Sequence, residues 1–474
     1  MDQTIASSPR RRSASIATFL SFLWPGLGQA YLGRRRAAIV FAVPVLAAFL
    51  LLLSQVGGGA EVLAVRAFTP AIAGAALWLI VLTAVWRLVS MADAFGGGVA
   101  MGADGRSHVV RSVSPWRDRR SVAIFAALAG VVVVLNAALA YGAWAFYDAG
   151  SKIFVTGDGP AASPNPLPSG AGGDIGVLPT PYVTPENTSS RINILLLGVD
   201  SGMGYQHSLS DTMIVVSIDP TTDKVTMLSL PRDIGRFPMY NGGTFPGKIN
   251  ALLTTAAANP TRYPDGGLGT LSREVGYLLG VPIHYYALVD LAGFKTMIDT
   301  VGGVDIVNQR AIADPVYEFP DGKVGFYLSA GKHHLDGRTA LAYVRSRQGA
   351  GDNDFTRARR QQDLLVALRA KITSPAMLPK LPAVLAAAAK TIKTDLPPDR
   401  VSALLAVAKD VTDSSITHYV LGPPYATHPP DAQTGGTYML IIDQARFQRL
   451  SVQVFGSDSA FYQAAASPSL SPSP

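Results

Sequence analysis

The nine residues INILLLGVD, positions 192–200, decide the fold class of the larger part of this chain. The apolar run is nearly continuous and stops at a glycine and an aspartate. Such a run is typical of a strand that is buried on both faces and whose carboxyl end opens onto a loop. A strand of this kind needs helices on both sides of its sheet, so we predict an α/β domain around it.

Further strands and helices alternate after this run. Strands are predicted at 213–218, 224–230 and 284–289, and helices at 268–279, 291–300 and 356–372. The segment 339–344 leads into Arg345, and in an extended segment Arg345 and Arg347 would point to the same side. We therefore place one α/β domain at 191–455.

Charge divides the chain into two parts. The first 151 residues hold 13 arginines, no lysine and six acidic residues, which accounts for the whole net charge of +7. Residues 152–474 hold 27 basic and 27 acidic residues. A nucleic-acid-binding face on this larger part is therefore disfavoured, because such faces are basic. Since there is no cysteine, disulfides, thiolate nucleophiles and cysteine-ligated zinc are excluded.

Four uncharged stretches precede the α/β domain, at 13–33, 37–56, 67–86 and 121–147. Each has about the 20 apolar residues that a membrane-spanning helix needs. The sequence Trp24-Pro25-Gly26 interrupts the first stretch, where a proline disfavours a straight helix. We therefore predict that 13–33 enters the membrane and returns as a re-entrant or hairpin segment, and that the other three stretches cross.

The arginines set the predicted orientation. Those at 10–12, at 34–36 and in the 91–120 loop should be cytoplasmic, and the 57–66 loop should face out. Three crossings then put the α/β domain outside the cytoplasm, whereas four would leave it inside and misplace one arginine cluster. The predicted organisation is a multi-pass membrane region at 1–147, a flexible linker at 148–190, the domain at 191–455 and a Ser/Pro-rich tail at 456–474.

Two aspartates mark adjacent strand ends. Asp200 closes the first strand, and Asp211 opens the second in Ser210-Asp211-Thr212. Two carboxylates so placed can share Mg²⁺, which takes one or two carboxylates together with phosphate oxygens. Either aspartate alone could instead cap a turn.

Several other polar residues are expected near strand ends or on one face of the 356–372 helix. They are Arg232, Asp233, Arg345, Arg347, Asp354, Arg357, Arg360 and Gln361. The guanidinium fork binds phosphate through two parallel hydrogen bonds and stays charged. Arginines together with a metal-binding aspartate pair indicate phosphoryl or pyrophosphoryl transfer, and a solvated charged face is the alternative interpretation.

Seven ordered motifs over about 191–455 resemble the LytR-CpsA-Psr (LCP) family. They are LLLGVD at 195–200, SDT at 210–212, SLPRD at 229–233, KIN at 248–250, DTVGGVD at 299–305, AYVRSR at 342–347 and DFTRARRQQ at 354–362. The resemblance implies a membrane-anchored extracytoplasmic phosphotransferase that moves a glycopolymer from a polyprenyl-pyrophosphate carrier to peptidoglycan through a phosphodiester bond. The implied fold is a three-layer α/β/α sandwich with a mixed central sheet and an apolar tunnel for the lipid.

The resemblance also implies residue roles. Asp200 and Asp211 would hold Mg²⁺; Arg232, Arg345, Arg347, Arg357 and Arg360 would grip the phosphates; Asp354 and Gln361 would orient them; and Asp233, Lys248, Asn250 and Gln362 would contact substrate. Asp233 could instead support an arginine. The family's usual arginine before SDT is Leu209 here, and His207 or Lys248 could supply that contact. Three predicted spans also replace the family's common single anchor.

Some interpretations remain open. Leu271, Val275, Leu278 and Leu365 are candidates for lining the tunnel or for ordinary core packing. Asp200 and Asp233 are both candidate general bases, and water could suffice. Three other functions compete with the transferase: a membrane-tethered transcription attenuator, a non-catalytic carrier-lipid or cell-wall-binding protein, and a pyrophosphatase. The attenuator would need a cytoplasmic, basic domain, which the charge balance opposes.

Overall fold

The computed structural model describes residues 13–56, 69–96, 100–101, 107–108, 116, 118–154, 191–199 and 210–462. The chain forms two compact units, Met1–Asp148 and Ala149–Pro474, which are described separately below. Several predictions lie outside the described residues: the arginines at 10–12, the 57–66 loop, most of the 91–120 loop, linker residues 155–190, Asp200, His207, Leu209 and residues 463–474.

The first unit consists mainly of helices. They are α1 (Ala14–Leu23), α2 (Leu27–Tyr31), α3 (Arg35–Val56), α4 (Pro70–Gly96) and α5 (Arg119–Ile153), and the short strands β1 (Ala100–Met101) and β2 (Ser107–His108) pair between α4 and α5. Gly26, at φ 100°, joins α1 to α2, where the sequence predicts a break. With ten and five residues, neither α1 nor α2 is long enough to cross a bilayer, which takes about 20 residues.

Polar side chains hold the α1–α2 hairpin against α4. The buried Gln29 side chain donates to the Ser90 carbonyl oxygen at 2.8 Å and to Asp93 Oδ2 at 3.1 Å. Both terminal nitrogens of Arg34 donate to the Asp93 carboxylate, at 2.8 and 3.0 Å. Because these groups find partners, the hairpin can bury them among apolar helices.

Two helices of the described part are long and apolar enough to cross a membrane. They are α4 and α5, with mean hydropathies of 2.0 and 2.6 over their most apolar windows. Large apolar side chains on them are exposed, such as Trp78 and Val134, each at 68%. Helix α5 continues to Ile153, beyond residue 148, where composition predicts the linker to begin.

The second unit is built on a six-stranded mixed sheet. Its strands are β3 (Ile192–Val199), β4 (Ser210–Asp219), β5 (Lys224–Ser229), β6 (Tyr285–Asp290), β11 (Ile392–Thr394) and β12 (Ile416–Val420), in the order β11-β6-β3-β4-β5-β12. The β3–β6 and β5–β12 pairs are parallel, and the other pairs are antiparallel. The apolar run at 192–199 thus forms β3, an interior strand of the sheet.

Helices cover both faces of the sheet, which confirms the three-layer α/β/α fold. One face packs against α6 (Leu252–Ala258), α7 (Gly266–Leu279) and α14 (Gln444–Phe455). The other packs against α8 (Leu291–Val301), α9 (Gly337–Arg345), α10 (Asp354–Ile372), α11 (Leu381–Thr391) and α12 (Pro398–Asp410). Side chains alternate along β3, so Leu195 and Leu197 join the first core and Leu196 packs on the second side.

Short elements complete the second unit. They are the paired strands β7 (Val304–Asn308) and β10 (Gly331–Leu335), β8 (Ile312–Glu318) and β9 (Val324–Leu328), β13 (Ala426–Thr427) and β14 (Ile441–Ile442), the helix α13 (Asp431–Thr434), and 3₁₀ turns at Ile249–Ala251, Pro375–Lys380, Asp413–Ser415 and Gly456–Asp458. These are brief elements that the sequence does not signal clearly.

The expectation of an extended segment before Arg347 is wrong in part. Asp336 caps a helix by accepting from the Thr339 amide at 2.7 Å, and this helix, α9, runs to Arg345. The helix ends at Ser346, whose backbone has φ −56° and ψ 138°. The two arginines nevertheless line the same cavities, as described below.

The folded unit also extends past residue 455, where the tail is predicted to begin. The Ala460 amide donates to the Gly280 carbonyl oxygen at 2.8 Å, and the Ser451 and Ser459 hydroxyls lie 2.7 Å apart. Asp458 pairs with Arg191 at 3.1 Å. These contacts fix the segment up to Tyr462 on the domain.

Candidate active site

A cavity of about 200 Å³ lies between the central sheet and the helices of the second face. Most of its wall is apolar: Leu196, Leu197, Ile214, Val289, Leu291, Phe294, Val344, Leu364, Leu365 and Leu368. Of the four leucine and valine candidates for a tunnel, Leu365 lines this cavity. Leu271, Val275 and Leu278 lie in the core on the opposite face of the sheet, so they are packing residues.

Polar side chains line the same cavity. Apart from Thr212 they are Asp211, Arg232, Arg345, Arg347, Arg357 and Gln361, and we call these six the polar mouth. Asp211 lies at the start of β4, Arg232 follows β5, Arg345 ends α9, and Arg357 and Gln361 occupy the first turns of α10. All six are predicted from the sequence as site residues. Four guanidinium groups and one carboxylate line the cavity directly, so the charge of its lining side chains favours an anion.

Close contact between β3 and β4 shapes the floor of the cavity. A Cβ atom on Gly198 would lie 2.9 Å from Thr212 Cβ, which is closer than side chains tolerate. The pairing of the two strands also shifts register between Gly198 and Val199. Glycine is therefore required here by the approach of the neighbouring strand, next to the carboxylate of Asp211.

An ion pair fixes Arg232 within the polar mouth. Its guanidinium donates to Asp211 Oδ1, and its Nε lies 3.6 Å from Asp233 Oδ2. Burial opposes the charge, but the hydrogen bond and charge of Asp211 outweigh it, so the pKa of Arg232 is raised. Asp233 also accepts from Lys248 Nζ at 2.6 Å. Asp233 thus supports two cations, the alternative role that the sequence analysis gives it.

The start of α10 contributes a second ion-paired group. Asp354 lies 3.0 Å from Arg357 and 3.5 Å from Arg347. Burial lowers the pKa of Arg357, because the side chain is only 10% exposed. Within the described part of the chain, no group accepts a hydrogen bond from its buried Nε. A buried guanidinium with an unused donor favours an anionic ligand at this place.

Arg360 and Gln362 do not reach the cavity, contrary to the expectation that they contact substrate. Arg360 is buried and donates to the carbonyl oxygens of Tyr343 and Ser346 and, at 2.8 Å, to Asp352. Gln362 is buried and donates to Ser229 Oγ at 2.7 Å. Both side chains hold α10 to its neighbours, so we assign them positioning roles.

Lys248 and Asn250 lie beside the polar mouth rather than in it. Lys248 Nζ is 5.9 Å from the centre of the Tyr438 ring and pairs with Asp233. Asn250 is 8% exposed, and its backbone N–H donates to the Arg232 carbonyl oxygen at 3.3 Å. These positions fit a role in fixing the segment that carries Arg232.

Sequence reasoning missed two residues here. Asp314 accepts from Ser346 Oγ at 2.8 Å and from the amides of Arg347 and Gln348 at 3.1 Å each, and it thereby fixes the segment between the two mouth arginines. Tyr438 lines a small cavity next to the mouth, together with Asp233 and Asp354. No motif marks either residue, because Asp314 lies on the short strand β8 and Tyr438 lies between α13 and β14, both outside the seven motifs.

Asp211, one of the two aspartates expected to hold Mg²⁺, lies at the mouth of the cavity. It is the one expected metal ligand among the described residues. The Asp211 side chain is 33% exposed and lines the mouth. In the described part of the chain, no group of three histidine or acidic side chains could hold a metal ion. Asp200, the second expected ligand, lies outside that part. The arrangement fits an ion bound by few carboxylates and completed by phosphate oxygens.

An apolar cavity with a cluster of guanidinium groups at its mouth has the chemistry that an amphiphilic anion would require. The chain belongs to the LytR_cpsA_psr family, whose model matches residues 177–454, more than half of its length. This match confirms the resemblance that the seven motifs carry.

Known relatives agree with this assignment. The chain is 34% identical over 214 residues to the polyisoprenyl-teichoic acid–peptidoglycan teichoic acid transferase TagU of Oceanobacillus iheyensis, covering 45% of this chain and 62% of that protein. It is 31% identical over 227 residues to TagU of Bacillus cereus, covering 48% and 68%. The matched region thus spans 62% of the length of the first of these relatives, which is less than two thirds, and 68% of the second. A solved structure, that of B. subtilis TagV, aligns over 58% of this chain and 98% of its own, with 25% identity and a TM-score of 0.45.

Proposed function

We propose that this protein is a membrane-anchored phosphotransferase that moves a glycopolymer from a polyprenyl-pyrophosphate carrier to peptidoglycan, outside the cytoplasm. The observation that carries the proposal is the apolar cavity with guanidinium groups at its polar mouth. A carrier lipid of this kind has a long hydrocarbon chain joined to a diphosphate. The apolar wall suits the chain, and the mouth suits the diphosphate.

The proposed reaction is a displacement at the phosphorus that carries the glycan. An acceptor hydroxyl oxygen forms a bond to this phosphorus, and the bond from phosphorus to the bridging oxygen breaks. Polyprenyl phosphate leaves with the bridging oxygen, and the hydroxyl proton passes to water. Such reactions depend chiefly on alignment and on neutralising charge on the phosphoryl oxygens.

The polar mouth supplies these two requirements. Arg232, Arg345, Arg347 and Arg357 surround the diphosphate and stabilise the charge that develops on the bridging oxygen. Gln361, whose amide donates to the Val344 carbonyl oxygen at 3.2 Å, helps to fix the arginine-bearing end of α9. Asp354 orients Arg347 and Arg357 through its ion pairs.

We also propose that Mg²⁺ binds at Asp211, with Asp200 as the second protein ligand. When bound, the ion would neutralise phosphate charge beside Arg232. The carboxylate that pairs with Arg232 is one-third exposed, so it remains accessible to an ion that arrives with the diphosphate.

A membrane location fits this chemistry. The carrier's diphosphate lies at the membrane surface, and α4 and α5 are apolar enough to anchor the chain there. We propose that α3 crosses as well. It has 22 residues and exposes apolar side chains such as Ile39 (62%) and Leu51 (57%). Three crossings would place the α/β domain on the outer side.

The test is transfer by the full chain in detergent, with a polyprenyl-linked glycan, Mg²⁺ and peptidoglycan oligomers, followed by mass analysis of the product. We expect a phosphodiester-linked product from the wild type. Arg345→Ala and Asp211→Ala should each slow its formation at least about a hundredfold, because each removes a charge partner of the transition state. Product formation at the wild-type rate in both variants would refute the site, and hydrolysis without any transfer would show a pyrophosphatase instead.

A further inference from the structure

A second cavity adjoins the polar mouth on the side of the β8–β9 hairpin. It has a volume of about 530 Å³, larger than the apolar cavity, and Arg345 and Arg347 line both. Apart from Gln348, the remaining wall comes from the hairpin, including Tyr317, Glu318 and Phe319. We call this cavity the hairpin groove. A ligand in it would contact the same two arginines that face the apolar cavity.

The hairpin groove is rigidly connected to the mouth. Asp314 of β8 is 2% exposed and accepts from Ser346 Oγ and from the next two backbone amides, at 2.8 to 3.1 Å. On the other side, Arg360 donates to the Ser346 carbonyl oxygen. The arginine segment is thus held between β8 and α10, so the groove and the mouth keep a fixed mutual geometry.

The walls of the hairpin groove differ in chemistry from those of the apolar cavity. Tyr317 and Phe319 are partly exposed and pack edge to face with ring centres 4.9 Å apart. Arg338 lies 4.0 Å from the Phe319 ring and keeps this ring in place. Glu318 is exposed at the end of β8. Aromatic rings with a carboxylate and guanidinium groups suit a sugar, which offers an apolar ring face and hydroxyl donors.

The geometry of the transfer reaction limits which of the two substrates, donor or acceptor, can occupy the hairpin groove. In-line displacement needs the attacking hydroxyl on the side of phosphorus opposite to the leaving group. If the lipid chain of the leaving polyprenyl phosphate fills the apolar cavity, the attacker must approach from elsewhere along Arg345 and Arg347. The hairpin groove borders both arginines on another side.

We propose that the hairpin groove binds the acceptor glycan and presents its hydroxyl to the phosphorus held at the mouth. This inference rests on the proposed function. The hydroxyl oxygen bonds to phosphorus, polyprenyl phosphate departs, and the proton passes to water, as in the reaction above. Phe319 stacks on the acceptor sugar and Glu318 accepts a hydrogen bond from one of its hydroxyls.

The test compares transfer with hydrolysis in Glu318→Gln and Phe319→Leu of the full chain. Both reactions use the same lipid-linked donor, but only transfer uses the peptidoglycan oligomer. We expect KM for the oligomer to rise at least about tenfold in each variant, because a hydrogen bond to a charged group or a stacking contact is lost. The donor KM and the rate of donor hydrolysis should stay at wild-type values, which also shows that the variants fold.

Tyr327→Leu is the matched control, because Tyr327 lies on the same hairpin, is 66% exposed and does not line the groove. It should leave the KM for the oligomer unchanged. An unchanged oligomer KM in Glu318→Gln and Phe319→Leu would overturn the inference. A parallel fall in transfer and hydrolysis would also overturn it, because the groove would then hold the donor glycan. A wild type without transfer would instead defeat the proposed function.

Discussion

Two arginines at the start of α10 show that spacing in the sequence does not decide which side chains line the cavity. Arg357 and Arg360 are one helical turn apart, yet Arg357 lines the cavity, whereas Arg360 is taken up by the carbonyl oxygens of Tyr343 and Ser346. Sequence analysis groups both as phosphate ligands because both are arginines in one motif. Which of them is used depends on the carbonyl groups that the end of α9 brings to one side of the helix.

This distinction gives a prediction for Arg357. Arg357→Ala should lower the transfer rate at least about a hundredfold, because it removes a largely buried charge from the mouth. Arg359→Ala is the matched control on the same helix, since Arg359 is 50% exposed and pairs with Asp363 at 3.0 Å. Steady-state kinetics with the full chain decides the matter. Similar losses of transfer rate in the two variants would mean that the total positive charge of the helix matters and the position of Arg357 does not.

A second prediction concerns Glu274, a fully buried carboxyl in α7. Burial raises the pKa of Glu274 from its ordinary value of 4.5 to about 8. The folded state therefore binds this proton more tightly than the unfolded state, and the stability it supports is lost as the pH rises through about 8. We expect the free energy of unfolding of the domain to fall as the pH rises between these two values.

The measurement is hydrogen exchange of the peptide Gly266–Leu279 in denaturant, corrected for intrinsic rates, at a series of pH values. Glu274→Gln, which is neutral at every pH, should flatten the decline. A wild-type domain whose stability rises over this interval would contradict the assignment, as would a variant with the wild-type slope.

At the scale of elements, the sheet could be predicted and its accessory strands could not. Long apolar runs such as β3 identify themselves, because they are buried on both faces. Strands β7 to β10 are short and partly exposed, as at Val307 (52%) and Val324 (65%). The alternation of apolar and polar residues that marks a strand in a sequence is therefore weak in them. They matter for function, because the β8–β9 hairpin forms the wall of the hairpin groove.

The apolar cavity predicts a dependence on lipid length. Leu196 projects from β3 into its wall, so Leu196→Trp should fill part of the space. We expect the affinity for a long polyprenyl donor to fall at least about tenfold, a free-energy cost in the range measured for overpacked cores. The affinity for a short-chain donor should fall less. Val307→Trp, the same kind of enlargement at an exposed position of β7, should leave both affinities unchanged. Equal losses of affinity for the long and the short donor would mean that the hydrocarbon chain of the lipid binds outside this cavity.

At the scale of the whole molecule, composition identified the two units, but it located their limits only approximately. Helix α5 runs on to Ile153, and the folded domain continues to Tyr462, beyond the expected limits of 147 and 455. At the C-terminal limit the cause is visible: polar residues that composition assigns to the tail are ordered by contacts with distant parts of the domain, such as Asp458 with Arg191.

The proposed orientation is also a property of the whole chain. Reporter fusions at residues 160 and 100 test it. A reporter that works only outside the cytoplasm should be active at 160 and inactive at 100, because one proposed crossing, α5, lies between the two positions and the arginines place the 91–120 loop inside. Activity at residue 100 would contradict the three-span orientation.

The central claim is that the polar mouth and the apolar cavity together bind a polyprenyl diphosphate. Native mass spectrometry of the full chain, released from detergent, measures this directly with a polyprenyl diphosphate and with a polyprenol of equal length. We predict one bound diphosphate lipid per chain, at least about tenfold tighter than the polyprenol, and loss of this preference in the double variant Arg232→Ala/Arg345→Ala. Equal affinity for the two lipids in the wild type, or an undiminished preference in the double variant, would contradict the account.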